Sequence, residues 1–315
     1  MGPAADVLTR LALSRGTLDR AGHRRADPDL VPTLLADPAT RVAVIVGETM
    51  EVIDDPSSPT GYGLALRAPL PGDGDRLAVF LGEEGRGREA TAYLAVVGEA
   101  TDAGAGDWQS LRAAGLTLGD RDAGIFTTAQ ALANWHSTHP FCPRCGATTS
   151  VRTAGWTRRC DREGSEHYPR TDPAVIMAVI DDDDRLLIGR APAWPERRFS
   201  VLAGFVEPGE SFESAVAREV AEEVGITVAD VTYLGNQPWP FPCSDMIGFR
   251  ARALDTEITL DPVEMAEARW VTRAGYLESL RTGELITPYG ISIAQRIIEH
   301  WLGRTVTDAL NSEQW

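Results

Sequence analysis

Gly204-Phe205-Val206-Glu207-Pro208-Gly209-Glu210 and, seven residues on, Arg218-Glu219-Val220-Ala221-Glu222-Glu223-Val224-Gly225-Ile226 form the stretch on which the reading of this chain turns. Ser211 is placed to cap a helix whose first turn holds Glu213, and Gly225 supplies the left-handed residue that ends it. The spacing predicts a helix from about Phe212 to Val224. At roughly 100° per residue, Val216, Ala217, Val220 and Val224 share one face, and Glu219, Glu222 and Glu223 run along its edge. Like charges three or four residues apart cost roughly 0.2–0.5 kcal/mol per pair in an isolated helix, so a helix selected for stability alone would intersperse lysines. A cation is the expected partner. Hard oxygen donors on one rigid face suit Mg²⁺ or Mn²⁺, which keep several waters and bind phosphate groups as well. A merely solvated acidic face is the alternative, but it needs neither the spaced Gly204–Glu210 turn nor Arg218. The pattern points to metal-assisted hydrolysis with one glutamate as general base. Arg218 is expected to orient Glu210 through a salt bridge.

Around this helix the signals are those of a mixed α/β chain. Ala174–Ile180, the acidic turn Asp181–Asp184 and Arg185–Ile188 read as a β-hairpin, its four aspartates as a solvated turn. Strands are expected near Val231 and over Met246–Ala253, with an amphipathic helix around Ile291–Leu302. Upstream, the strand-like runs Arg41–Val46, Leu77–Leu81 and Ala92–Val97 alternate with turns, and Ala123–Trp135 reads as helix. A helical patch is expected over Ala5–Leu13. Three units follow: a structural N-terminal domain over residues 1–128, a linker helix and short Cys-rich ribbon over 129–170, and a catalytic domain over 171–315.

Composition sets the outer limits. With 315 residues and 43% hydrophobic content the chain can fill at least two cores. No run approaches the roughly 18 apolar residues of a membrane span, and the N-terminus, with Asp6 early, lacks the plan of a signal peptide. A cytoplasmic protein without membrane partners is the expectation. A net charge of −16 opposes non-specific binding to polyanions, yet it does not forbid an anionic substrate at a metal-filled site. Four cysteines are too few for a disulfide scaffold. Three of them lie close together, in Cys142-Pro-Arg-Cys145-Gly146 and Cys160-Asp-Arg-Glu163-Gly164. The two halves share spacing and terminal glycine, so Glu163 stands where a fourth cysteine would complete a structural zinc site. A Cys₃-carboxylate set can hold Zn²⁺, His167 is the other candidate for the fourth position, and a ribbon folded without metal is the alternative. His136 and His139 flank the ribbon as surface or capping residues. Gln237-Pro238-Trp239-Pro240-Phe241-Pro242-Cys243-Ser244 is too rich in proline for a helix or central strand. It reads as a stiff wall whose aromatics either stack on a flat base or pack inward, while Gln237 and Ser244 could hydrogen-bond a ligand.

The Gly204–Ile226 stretch resembles the Nudix box at every defining position. The knuckles, His167-Tyr168-Pro169-Arg170, the box and the proline loop follow one another as in NADH pyrophosphatases, a resemblance that covers about residues 110 to 300. It implies an α/β/α sandwich with a mixed sheet, preceded by a zinc ribbon and a Nudix-like N-terminal domain. It implies hydrolysis of the pyrophosphate of NADH or NAD⁺ to nicotinamide mononucleotide and AMP, extending to NAD caps on RNA, and a homodimer. For metal it implies Glu219, Glu222, Glu223, Glu264 and the carbonyl of Ala203 around two or more Mg²⁺ or Mn²⁺ ions, with Glu223 nearest the attacking water. For substrate it implies Phe205 and Tyr168 flanking the dinucleotide, with Gln237, Trp239, Ser244, Met246, Ala294 and Arg112 in contact. The chain departs from the family in Glu163, in Asn236 for a serine, and in Gly155 for a glutamate before Trp156. The rival readings are the same catalysis on another nucleoside diphosphate derivative such as ADP-ribose, and a non-catalytic nucleotide sensor or ribbon-based nucleic-acid binder. The intact glutamates and the negative charge stand against the latter.

Overall fold

The computed structural model describes residues 7–312 apart from Arg10, Arg86 and Tyr289. They divide into two compact units, one of Leu13–Thr171 with Pro238–Cys243, the other of the first residues with Asp172–Gln237 and the chain from Ser244 onward.

In the first unit, α1 (Leu30–Ala36) precedes strands β1 (Arg41–Val46), β2 (Thr49–Asp54), β3 (Tyr62–Leu64), β4 (Ala78–Glu84), β5 (Thr91–Val97) and β6 (Asp107–Ser110). They form a sheet of order β3-β2-β1-β5-β4, with β6 on β2 and a parallel β1–β5 pair at its centre. Alternation along the central strands sends Val42, Leu94 and Val96 to one face, where they meet Phe80 and the α1 residues Leu30 and Leu34. Helices α2 (Leu111–Ala114) and α3 (Asp120–Thr138) follow, and α3 buries Ile125, Phe126, Leu132 and Trp135. The ribbon is a small antiparallel sheet of β7 (Thr149–Arg152), β8 (Thr157–Cys160) and β9 (Glu166–His167). The expectation for His139 agrees with its place at the C-cap of α3, but His136 is buried and not a surface residue. Its Nε2–H donates to the Gly155 carbonyl at 2.9 Å and its Nδ1 accepts from Arg158 at 2.9 Å, the arrangement of a neutral ring. Burial lowers its pKa to about 4.

In the second unit, β10 (Asp172–Ile180) is central, parallel to β14 (Ser244–Ala253) on one side and antiparallel to β11 (Leu186–Arg190) on the other. The sheet order is β13-β14-β10-β11-β15, with β12 (Leu202–Phe205) also on β10, β13 spanning Val228–Trp239 and β15 spanning Glu267–Val271. Because side chains alternate along β10, Val175, Met177 and Val179 face α4 (Phe212–Val224) through Val216, Val220 and Val224, burying a row of branched apolar groups. Ile176 and Ala178 face the opposite layer, where α6 (Ile293–Leu302) contributes Ile293, Ile297 and Trp301. Helices α5 (Arg273–Arg281) and α7 (Val306–Ser312) complete that layer. This is the helix–sheet–helix arrangement expected. Pro238 is accommodated because β13 is an edge strand.

Two further local expectations need correction. Of Ala5–Leu13, the residues Ala5, Asp6 and Arg10 lie outside the described residues, and the others form no helix. Leu8 instead donates its N–H to the Leu234 carbonyl at 2.6 Å, and Leu11 joins the core, so tertiary contacts override a weak helical preference. In the acidic turn, Asp182, Asp183 and Asp184 are exposed but Asp181 is buried. Its carboxylate accepts from the backbone N–H groups of Asp183 and Arg185 and pairs with the Arg185 guanidinium, so it builds the hairpin turn.

Candidate active site and metal centres

Helix α4 begins and ends as its sequence dictates: the Ser211 hydroxyl accepts from the Ser214 N–H at 3.1 Å, and Gly225, at φ 73°, closes the C-terminus. With its apolar stripe against the sheet, the helix turns Glu219 and Glu223 inward, each 8% exposed. Carboxylate oxygens of Glu219, Glu223 and Glu264 lie within 4.8 Å of one another. The cluster fits closely under β12, since a Cβ added at Gly204 would overlap the Glu219 carboxyl group. One Glu223 oxygen, Oε2, is buried with no hydrogen-bond partner. Burial, reinforced by the charges of Glu219 and Glu264, pushes the Glu223 carboxyl up to about 8, and burial also raises Glu219. Three converging carboxylates with an unanswered buried oxygen are a donor set suited to divalent metal, whose charge would reverse that repulsion.

Glu222 stands apart. It is more exposed than Glu219 or Glu223, and its carboxylate lies 3.0 Å from Arg218 instead of in the cluster. Arg218 is the strut of the site. As expected, it pairs with Glu210 at 2.6 Å, and it also reaches Glu219 at 2.8 Å and donates to the Phe205 carbonyl at 2.8 Å. The glycine turn, β12 and the helix are thereby tied together. Ala203, half-buried on β12, sits opposite Ile176 in the register that places Gly204 beside Val175.

The residues expected to meet substrate fall into two groups. Phe205 and Tyr168 are exposed at 60% and 65%, unusual for large aromatic rings and suited to stacking. Trp239 and Phe241 meet edge to face at 4.9 Å, with the Arg112 guanidinium 3.8 Å from the Phe241 ring centre and 5.0 Å from that of Trp239. The loop aromatics thus pack on one another and on an arginine. Ser244 and Met246 are half-buried at the start of β14. Gln237 and Ala294 are buried. The Gln237 side chain donates to the Ile291 carbonyl at 2.9 Å, so it anchors the root of the loop to the segment before α6.

In the ribbon the two knuckles are superimposable in their bonding: Gly146 N–H donates to the Cys142 carbonyl and Gly164 N–H to that of Cys160, each glycine having φ near 70°. They bring Cys142, Cys145, Cys160 and Glu163 together with one donor atom each within 4.8 Å of the others. The Cys145 and Cys160 sulfurs are 3.5 Å apart, close to the edge of roughly 3.7 Å in a tetrahedron with Zn–S bonds of about 2.3 Å. His167 is outside this set. Its Nε2 lies 3.3 Å from the Ser165 hydroxyl, which in turn donates to Glu163 at 2.8 Å. The Ser165 hydroxyl, then the Cys142 thiol, hold the Glu163 carboxyl below the usual carboxylate range. Ser165 was not singled out in the sequence; its place two residues past the substituted ligand was the available signal. The donor set fits structural zinc.

The geometry defines a Nudix domain joined to a zinc ribbon, and the comparisons agree. The NUDIX domain family matches residues 170–285, the NADH pyrophosphatase zinc ribbon domain residues 137–168, and the NADH pyrophosphatase-like rudimentary NUDIX domain residues 43–135. The chain is 40% identical over 306 residues to the NAD-capped RNA hydrolase NudC of Mycobacterium bovis (strain BCG / Pasteur 1173P2), covering 92% of this chain and 94% of that protein. It is 42% identical over 199 residues to the human NAD-capped RNA hydrolase NUDT12, covering 59% of this chain and 43% of the human one. Among solved structures, a NUDIX hydrolase from Nitrosomonas europaea aligns at 20% identity and TM-score 0.42, over 52% of this chain and 94% of that one. The chain belongs to the NudC family of Nudix hydrolases, those that carry an NADH pyrophosphatase zinc ribbon. No helix among the described residues is long and apolar enough to cross a membrane.

Proposed function

We propose that this protein hydrolyses the pyrophosphate bond of NADH and NAD⁺ to AMP and the reduced or oxidised nicotinamide mononucleotide respectively, and removes NAD caps from RNA. The observation that carries the reading is the convergence of Glu219, Glu223 and Glu264 beneath Gly204, in a chain whose relatives are named as hydrolases of NAD-capped RNA. Glu219, Glu223, Glu264 and the Ala203 carbonyl would hold Mg²⁺ or Mn²⁺, which when bound polarise the pyrophosphate and acidify a coordinated water. Glu223 acts as general base; its Oε2, unpartnered on the chain, is left to take a proton. Arg218 holds Glu219 and the Phe205 strand in place, and Glu222 serves that arginine. Phe205, exposed beside the cluster on β12, offers a stacking face to the dinucleotide. Cys142, Cys145, Cys160 and Glu163 hold one structural zinc, which requires the reduced thiols of a cytoplasmic compartment. A homodimer is the assembly we expect, to be checked by light scattering.

The test is product analysis with NADH, NAD⁺, ADP-ribose and NAD-capped RNA side by side, with Mg²⁺ or Mn²⁺. Reduced nicotinamide mononucleotide and AMP from NADH, nicotinamide mononucleotide and AMP from NAD⁺, and RNA with a 5′-monophosphate from the capped substrate are the expected products. Glu223→Gln should fold and lose at least about 10²-fold in turnover, the usual contribution of general base catalysis. Faster turnover of ADP-ribose than of either dinucleotide would move the assignment to another nucleoside diphosphate derivative.

A further inference from the structure

Pro240 and Pro242 carry no N–H, so the loop around Phe241 cannot be held by a β-ladder, and its carbonyls need donors from elsewhere. One side chain answers two of them. Asn134 Nδ2 lies 3.1 Å from the Pro240 oxygen and 2.9 Å from the Pro242 oxygen. Carbonyl oxygens only accept, so Asn134 must turn its NH₂ to the loop and its Oδ1 the other way, toward Gln130 Nε2 at 2.8 Å. Gln130, one turn earlier on α3, is fully buried, so the amide is oriented from inside the N-terminal domain. Phe241 sits between the two bonded carbonyls, with Trp239 edge-on to it and Arg112 across both rings. All of these residues belong to the same compact unit.

We infer that Asn134, oriented by Gln130, is a positioning residue that sets the conformation of the Trp239–Phe241 wall, so that the rudimentary N-terminal domain serves as the template for dinucleotide selection. The inference deepens the pyrophosphatase reading above and rests on it. Asn134→Asp keeps the size and the bond from Gln130 but sets an acceptor against two carbonyls. Gln130→Glu turns the Asn134 amide round, because its NH₂ must then face the new carboxylate. Both variants are made in the full-length, metal-loaded protein carrying 5-fluorotryptophan, with the Trp239 resonance assigned through Trp239→Phe. Kinetics are measured on NADH and on a base-free dialkyl pyrophosphate. The Trp239 fluorine signal should shift or broaden in both variants. KM for NADH should rise roughly five- to 150-fold, the worth of two hydrogen bonds, with kcat within about threefold and the base-free substrate unaffected. An unmoved Trp239 signal overturns the positioning role. A displaced signal with unchanged KM for NADH keeps the positioning but refutes the loop as a dinucleotide wall, while equal losses on both substrates place Asn134 in the general support of the fold. If Gln130→Glu fails to fold, Asn134→Asp and Asn134→Ser, at a half-exposed position, carry the test.

Discussion

Gly204→Ala is a one-carbon change that should disable the catalytic cluster without unfolding the chain. Gly204 lies in β12 with its register to Val175 intact and no left-handed φ, so alanine suits its backbone. The new Cβ overlaps the Glu219 carboxyl, which is 11% exposed and already held by Arg218 at 2.8 Å. To restore ordinary contact the carboxyl must withdraw by about 1.5 Å. A misplacement of about 1 Å in a catalytic group can cost 10²-fold, or about 2.7 kcal/mol of barrier at about 1.36 kcal/mol per decade. The assay is kcat/KM with NADH together with calorimetric titration of Mn²⁺ into metal-free protein, thermal denaturation serving as the folding control. A double-mutant cycle with Glu219→Asp isolates the overlap, because the shorter side chain makes room for the Cβ and the two losses should be less than additive. Metal affinity and kcat/KM within about threefold of wild type at unchanged Tm would refute the reasoning.

Zinc should be present at about one per chain, and Cys145→Ser should lower Tm more than it lowers activity per folded molecule; zinc-free protein of full stability contradicts this. Glu163→Cys should tighten zinc binding, read by competition with a chromogenic chelator, whereas His167→Ala should release none, since His167 is outside the donor set. For His136 the folded pKa of about 4 lies below the ordinary 6.5, so the unfolded chain takes up the proton first. Stability is therefore full above about pH 7 and falls as pH drops toward 4, by about 2 kcal/mol between pH 7 and 5. Urea denaturation at those two pH values should show that loss in wild type and its absence in His136→Gln; parallel losses in both proteins would assign the acid sensitivity elsewhere. Phe205→Ala removes one stacking face worth about 1–3 kcal/mol, so NADH kcat/KM should fall roughly five- to 150-fold while a base-free pyrophosphate loses much less. Equal losses would give Phe205 a structural role.

Helix α4 was legible to the residue because its cap, its apolar stripe and its terminal glycine are all local signals. The same periodicity could not separate Glu222 from Glu223: adjacent residues differ by about 100° around the axis, and only the packed sheet decides which carboxylate turns inward. Glu264 came from resemblance, for it lies in a loop with no periodicity of its own. The burial of Gln237, His136 and Asp181 was illegible for a common reason. A polar side chain goes inside when a specific carbonyl or N–H meets it there, and the partners Ile291, Gly155 and Arg185 do not announce themselves in sequence. Strands β2, β3 and β6 escaped notice because their runs are short and mix Glu, Asp and Gly with the apolar residues.

The six residues Pro238–Cys243 leave the body that Gln237 and Ser244 belong to and are housed with Leu13–Thr171. Seen as heredity, this makes the two bodies poor candidates for shuffling. A gene fragment beginning at Asp172 would encode every cluster glutamate, yet it would express a loop whose carbonyls had lost Asn134 and whose rings had lost Arg112. A rudimentary domain of this kind carries a duty toward the chain that follows it, because six residues from beyond Asp172 belong to its own body.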